Sequence, residues 1–65
     1  MNIILNGKST DIPDDERVAG LIESLKLDGP VAVQVNEEII HREKLGGRRL
    51  SPGDKVELFV MMGGG

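Results

Sequence analysis

The sequence ends on three consecutive glycines, Gly63, Gly64 and Gly65, directly after an apolar stretch whose alternation predicts a β-strand. Glycine loses more backbone freedom on folding than any other residue, so three of them at a chain end stabilise no core. They would form a thin arm that presents a carboxylate at Gly65 and that a narrow channel in another protein could take. The residues alone leave two interpretations open: a working arm, or an inert chain end of the loose kind that many domains carry.

The other residues capable of chemistry do not form a catalytic constellation. The single histidine, His41, has no cysteine or second histidine with which to share a metal. The pair Gly46-Gly47 lacks the spacing and the following lysine of a phosphate-binding loop. Asp14, Asp15 and Glu16 are better explained as charges near a helix N-terminus, where the helix dipole favours them. We therefore expect no catalytic residue and no metal site.

Composition and charge narrow the functional classes further. A chain of 65 residues makes one small domain, which buries only about 60% of its unfolded surface. The net charge of −3 and the pI of about 4.9 argue against nucleic-acid binding, because phosphates repel an acidic protein. Cysteine is absent, which suits a reducing compartment, and no apolar run approaches the about 20 residues that cross a bilayer. We expect a soluble, cytoplasmic protein that binds neither nucleic acid nor membrane.

The first half of the chain predicts a hairpin and a helix. Residues 3–5 are apolar and meet Asn6-Gly7, a strong hairpin turn, so residues 8–12 are expected to pair back as a second strand. A helix is predicted at about residues 17–27, capped by Asp14 or Asp15. Its apolar face has the i, i+3, i+4, i+7 spacing of Val18, Leu21, Ile22 and Leu25. Gly20 within it predicts close packing on the sheet.

The second half predicts three more strands. Val31 to Val35 alternates, Ile39-Ile40 makes a short apolar pair after a turn, and residues 56–60 alternate again after the turn at residues 51–54. Residues 41–49 form a polar loop between the last two strands, and Leu45 and Leu50 are expected to anchor it. The order predicts an α+β fold in which one helix covers one face of one sheet. Residues 1–60 would form the domain and residues 61–65 a flexible tail.

This order, together with the glycine end, resembles the ThiS family of sulfur carriers, whose fold is the ubiquitin-like β-grasp. The resemblance runs over nearly the whole chain. Its matching residues are Ile4-Leu5-Asn6-Gly7, Val18-Ala19-Gly20-Leu21-Ile22, Val31-Ala32-Val33-Gln34-Val35-Asn36, Ile40, Arg42, Leu50, Gly53-Asp54-Lys55-Val56-Glu57 and Gly63-Gly64-Gly65. It implies a mixed sheet of four to five strands with the helix on one face.

The resemblance also implies a function. A ThiF-like enzyme would use ATP and Mg²⁺ to adenylate the carboxylate of Gly65, and a sulfur donor protein would convert it to a thiocarboxylate. A ThiG-like thiazole synthase would then take the sulfur for the thiazole of thiamine. The chain itself would be a carrier and not an enzyme, with no bound cofactor, and Gly63, Gly64 and Gly65 would thread into the partner.

Three alternatives remain beside that function. A molybdopterin-type, MoaD-like sulfur carrier shares the fold and the glycine end, although it tends to be longer. A ubiquitin-like modifier would join the same tail to lysines of target proteins. A β-grasp binding module would carry an inert tail.

A partner surface is predicted beside the tail. If Val56, Leu58 and Val60 face the helix, Phe59 and Met61 lie on the opposite, open face of the sheet, next to Met62. Exposed aromatic and methionine side chains suit an interface. The alternative is a strand shifted by one residue, with Phe59 in the core.

A local basic cluster is formed by Arg42, Lys44, Arg48 and Arg49 in an otherwise acidic protein. It is either a solvated loop or a surface that steers the chain toward an acidic partner.

Overall fold

The computed structural model describes residues 1–27 and 29–60, and these fold in the predicted order of elements. The strands and helices are β1 (Asn2–Leu5), β2 (Lys8–Asp11), α1 (Val18–Leu25), β3 (Val31–Val35), β4 (Glu38–Ile40), a 3₁₀ turn (Arg42–Lys44) and β5 (Lys55–Val60). The helix is shorter than predicted at both ends. Arg17 before it is extended, and Lys26 after it takes a left-handed conformation with φ of 51°.

The five strands form one mixed sheet in the order β2-β1-β5-β3-β4. The neighbours β1 and β5 are parallel and pair at Ile4 with Lys55 and at Leu5 with Val56, whereas the other three pairings are antiparallel. Helix α1 contributes to the core against one face of this sheet. The predicted α+β class and the ubiquitin-like β-grasp are therefore confirmed.

Both hairpins turn through two residues with positive φ. Asn6 (48°) and Gly7 (82°) join β1 to β2, as predicted, and Asn36 (49°) and Glu37 (71°) join β3 to β4. Positive φ at both central positions gives the turn whose twist matches that of the flanking strands. The second turn achieves it with a glutamate at a position that usually holds glycine.

The core lies between the helix and the sheet, and it includes the helix residues Val18 and Leu21. The other buried apolar side chains are Ile3, Ile12, Val33, Val35, Ile40, Leu50, Val56 and Leu58. Leu50 is buried and Leu45 packs partly buried against the core, so both anchor the polar loop as expected. Leu25, predicted on the apolar helix face, is 40% exposed.

The start of the helix differs from the prediction. Neither Asp14 nor Asp15 caps it, because the N-cap residue is Arg17, which makes no side-chain capping bond. The backbone of the polar loop takes that role: the amides of Val18 and Ala19 donate to the carbonyls of Arg48 and Leu45, at 3.0 and 3.1 Å. These are two of the amides that a helix leaves without an internal partner at its N-terminus.

The free ammonium group of Met1 lies 3.0 Å from the Asp14 carboxylate. This aspartate therefore fixes the start of the chain and not the helix.

Gly20 also has a different neighbour from the one expected. A methyl group built at Gly20 would meet the carboxylate of Glu16, not the sheet. The absence of a side chain at Gly20 thus leaves room for Glu16, whose carboxylate oxygen accepts the amide of Arg17 at 3.1 Å.

Candidate functional site

The last strand carries the chain to the predicted site. β5 lies at the centre of the sheet, with β1 on one side and β3 on the other, and its last residue, Val60, pairs with Val31. Met61, Met62, Gly63, Gly64 and Gly65 lie outside the described residues, so their predicted roles and the boundary of the tail at residue 61 stay predictions.

The predicted alternation of β5 is confirmed. Val56 and Leu58 are buried, whereas Phe59 between Leu58 and Val60 is 54% exposed. The only aromatic side chain of the sequence therefore lies on the open face of the sheet, and the alternative that places it in the core is excluded. Val60 departs from the expected burial because it is 40% exposed at the end of the strand.

Phe59 borders a shallow groove of about 160 Å³ on the open face. The groove is also lined by Ala32, Val33, Gln34 and Ile39. Ile39 is 67% exposed and comes from β4, which pairs with β3 at Gln34. The open face thus carries two exposed apolar side chains, Phe59 and Ile39, at this groove.

Ile39 was not predicted as part of this surface. The adjacent pair Ile39-Ile40 could have indicated it, because successive strand residues point to opposite faces of the sheet. Since Ile40 is buried, Ile39 lies on the open face. The pairing of β3 with both β4 and β5 brings Ile39 and Phe59 to one groove, and that pairing is not visible in local sequence.

A second, larger depression of about 450 Å³ lies near Val60, the last described residue of β5. Its lining is formed by Ile22, Gly29, Pro30, Val31, Arg42 and Leu45. Because Val31 pairs with Val60, this depression and the groove beside Phe59 lie near the same end of the sheet. Among the described residues of its lining, Arg42 is the only charged one.

The predicted basic cluster is divided by the fold. Arg42 lines the depression just described, whereas Lys44 and Arg48 border another depression together with His41. Arg48 lies 3.9 Å from Glu38 and donates to the carbonyl of Arg49 at 2.9 Å. The four basic residues therefore do not all line one depression.

Arg49 has an unexpected neighbour, because its backbone bridges to that of Arg17 just before the helix. Both side chains are exposed. Two cations thus face each other across a short antiparallel bridge near the positive end of a helix, where their repulsion is unfavourable.

The described residues contain no group of three or more histidine, cysteine, aspartate or glutamate side chains placed to hold a metal ion. In the same part of the chain, no helix has the length and apolar character that crossing a membrane requires.

Comparison with known proteins identifies the family. The model of the ThiS family matches residues 3–65. The crystal structure of a thiamine biosynthesis protein (ThiS) from Geobacter metallireducens has 33% identity and a TM-score of 0.85, with all of both chains covered. The solution structure of a thiamine biosynthesis protein from the same organism has 35% identity and a TM-score of 0.79, and the match covers all of this chain and 88% of that one.

Among curated protein sequences, none matches this chain. The family model spans almost the whole sequence, and the five-stranded sheet with one helix is closely similar to a solved ThiS structure. The resemblance found in the residues is thereby confirmed, and the chain belongs to the ThiS family.

Proposed function

We propose that this protein is a sulfur carrier of thiamine biosynthesis whose Gly65 carboxylate is adenylated and then converted to a thiocarboxylate. The observation that carries the proposal is the extent of the family match, which runs to residue 65 and so includes the three glycines. The similar structures from Geobacter metallireducens, both described as thiamine biosynthesis proteins, support the thiamine branch over a molybdopterin-type carrier or a protein modifier.

The chemistry requires activation by another enzyme. A carboxylate is a poor electrophile because it is anionic and its leaving group would be oxide. A ThiF-like enzyme would bind ATP and Mg²⁺ and let the Gly65 carboxylate attack the α-phosphorus, which releases pyrophosphate and forms an acyl adenylate. Hydrosulfide supplied by a donor protein would then attack the carbonyl carbon and displace AMP, leaving a thiocarboxylate. A ThiG-like thiazole synthase would take the sulfur from this group.

The contribution of this chain is reach and recognition. The five residues from Met61 to Gly65 extend at most about 3.3–3.6 Å each, which places the carboxylate up to roughly 17 Å beyond Val60. That length suffices to thread an enclosed active site. Glycine at the last three positions keeps the arm thin, because no Cβ stands where an enzyme would close around the backbone.

The open face beside the tail supplies the docking surface in this proposal. Phe59 and Ile39 expose apolar area next to the groove between them, and an aromatic side chain in such a position is typical of an interface anchor. Met61 and Met62 would extend this contact toward the glycines, since methionine adapts to irregular apolar surfaces.

Pyrophosphate release from ATP in the presence of the purified ThiF-like enzyme tests the proposal. The unaltered chain is expected to support release, and Gly64→Val is expected to abolish it while leaving thermal unfolding unchanged. Gly46→Val is the matched control, because a Cβ at Gly46 meets nothing within 4 Å. Equal pyrophosphate release with Gly64→Val, or none with the unaltered chain, would contradict the proposal.

A further inference from the structure

The second half of β5 has one edge without a strand neighbour among the described residues. β1 pairs with β5 only at Lys55 and Val56, because β1 ends at Leu5 and the chain then turns away into β2. On the other side, β3 pairs with β5 along its length from Val56 to Val60. Residues 58–60, on the side that faces β1, are called here the free edge of β5.

The hydrogen bonds of β5 show which backbone groups point to this edge. Lys55 exchanges bonds with Asn36 on the β3 side, since the Asn36 amide donates to the Lys55 carbonyl and the Lys55 amide donates to Asn36 Oδ1. Val56 accepts the Asn6 amide on the β1 side at 2.8 Å. Because these directions alternate along a strand, the amide and carbonyl of Leu58 and of Val60 point toward β1.

Of the amides and carbonyls of Leu58 and Val60, one already has a hydrogen-bond partner. The Leu58 amide donates to Asn6 Oδ1 at 2.9 Å, so the side chain of Asn6 replaces the next backbone acceptor that a longer β1 would have offered. The Leu58 carbonyl and the Val60 amide lie beyond it, and neither makes a backbone bond to another described loop or strand on this side. They are one hydrogen-bond acceptor and one donor with which a further strand could pair.

This edge also lacks the usual protection against pairing. Natural sheets guard exposed edges with charged residues, proline or a bulge. Residues 58–60 are Leu-Phe-Val, without charge or proline, and Phe59 and Val60 are 54% and 40% exposed. An apolar, extended and accessible segment of this kind is suited to receive another strand.

We propose that the adenylating enzyme lays an extended segment of its own backbone along the free edge of β5, accepting from the Val60 amide and donating to the Leu58 carbonyl. This inference rests on the proposed function. The free edge ends where the arm to Gly65 begins, so a strand held there keeps the chain extended at the entrance of the enzyme. A second copy of the chain is the alternative occupant of the same edge.

A proline substitution tests the edge directly. Val60→Pro removes the one amide that the partner strand would use, and it leaves the β3 ladder intact because that amide points to the other side. Proline is tolerated at such edge positions, and the residue before it already has the extended conformation that proline favours. Val60→Ala is the matched control, because it shortens the same side chain and keeps the amide.

The dissociation constant of each variant for the adenylating enzyme is measured without ATP. We expect it to be about tenfold higher for Val60→Pro than for Val60→Ala, because one hydrogen bond contributes about that much at the upper end of its net range. Both variants should unfold within a few degrees of the unaltered chain. Equal affinities of two folded variants would overturn the proposal.

Hydrogen exchange gives a measurement that does not depend on a variant. In the free chain the Val60 amide is expected to exchange much faster than the amides of Leu58 and Phe59, and to slow at least tenfold when the enzyme binds. Adenylation of Gly65 without this slowing would overturn the edge pairing alone. Failure of the enzyme to bind or adenylate the chain would overturn both the edge pairing and the proposed function. Slowing in the concentrated chain by itself would identify a second copy as the occupant and overturn the assignment to the enzyme.

Discussion

The side chain of Asn6 accepts the backbone amide of Leu58 at 2.9 Å, a hydrogen bond between residues 52 positions apart. It joins the first hairpin turn to the last strand, at the point where the backbone pairing of β1 with β5 ends. Asn36, in the second hairpin turn, makes the equivalent bond to the Lys55 amide from the other side of β5. Two turn asparagines thus hold the strand that leads to the tail.

Asn6 has two roles: its backbone takes the positive φ of the turn, and its side chain accepts the Leu58 amide. Two substitutions should separate these roles. Asn6→Gly keeps the positive φ of 48° but deletes the acceptor of the Leu58 amide. It should lower the free energy of unfolding by about 1 kcal/mol, the net contribution of one such bond. Asn6→Asp keeps an acceptor at the same position and should remain closer to the unaltered chain. Urea unfolding measures both, and equal stability of Asn6→Gly and Asn6→Asp would contradict the role of the bond.

The second turn contains backbone strain that a glycine would relieve. Glu37 holds φ of 71°, a left-handed conformation that costs a side-chain-bearing residue roughly 1–2 kcal/mol. Glycine would remove this cost, but it would also lose more backbone freedom on folding than glutamate does. The net effect of Glu37→Gly should be to stabilise the fold by about 0.5–1 kcal/mol and to raise Tm by several degrees.

Glu37→Gln is the control for this experiment, because it removes the charge and keeps the strain. Its Tm should stay near that of the unaltered chain. The reverse change at the other turn, Gly7→Ala, should lower Tm although a methyl group there meets nothing within 4 Å, because only the φ of 82° opposes it. A Tm for Glu37→Gly at or below that of Glu37→Gln would show that the turn is not strained.

The bridge between Arg17 and Arg49 predicts a salt-dependent stability. Like charges directly opposite each other are destabilising by roughly 0.2–1 kcal/mol, and salt screens them. Arg49→Gln should therefore raise Tm at low ionic strength, and the gain should shrink in 1 M salt. Arg48→Gln serves for comparison, because Arg48 contacts Glu38 and the Arg49 carbonyl and should lose stability or remain unchanged. A gain for Arg49→Gln that is the same at both salt concentrations would exclude electrostatic repulsion as its cause.

Local sequence predicts those parts of the fold that local physics determines. The turn at Asn6-Gly7 has residues that accept positive φ, and the alternation of β5 predicts that Phe59 is exposed. The sequence predicts a turn before Ile39-Ile40, but it does not predict the left-handed conformation of Glu37, because glutamate has no intrinsic preference for that conformation.

The features that sequence reasoning missed arise from contacts between distant segments. The polar loop supplies the backbone acceptors for the first helical amides, so no side-chain cap at Asp14 or Asp15 is needed. The groove between Ile39 and Phe59 depends on β3 lying between β4 and β5. The free edge of β5 likewise depends on where β1 stops relative to its parallel neighbour, which no local pattern contains.

Mass spectrometry of the protein from thiamine-limited cells identifies the atom that is bonded to the terminal carbonyl carbon of Gly65. Trypsin cleavage after Lys55 releases the peptide Val56–Gly65. We expect that one oxygen is replaced by sulfur in fragments that contain the glycines but neither methionine, and that an alkylating reagent labels this position. An unmodified Gly65 carboxylate, with the added mass confined to oxidised Met61 or Met62, would contradict it.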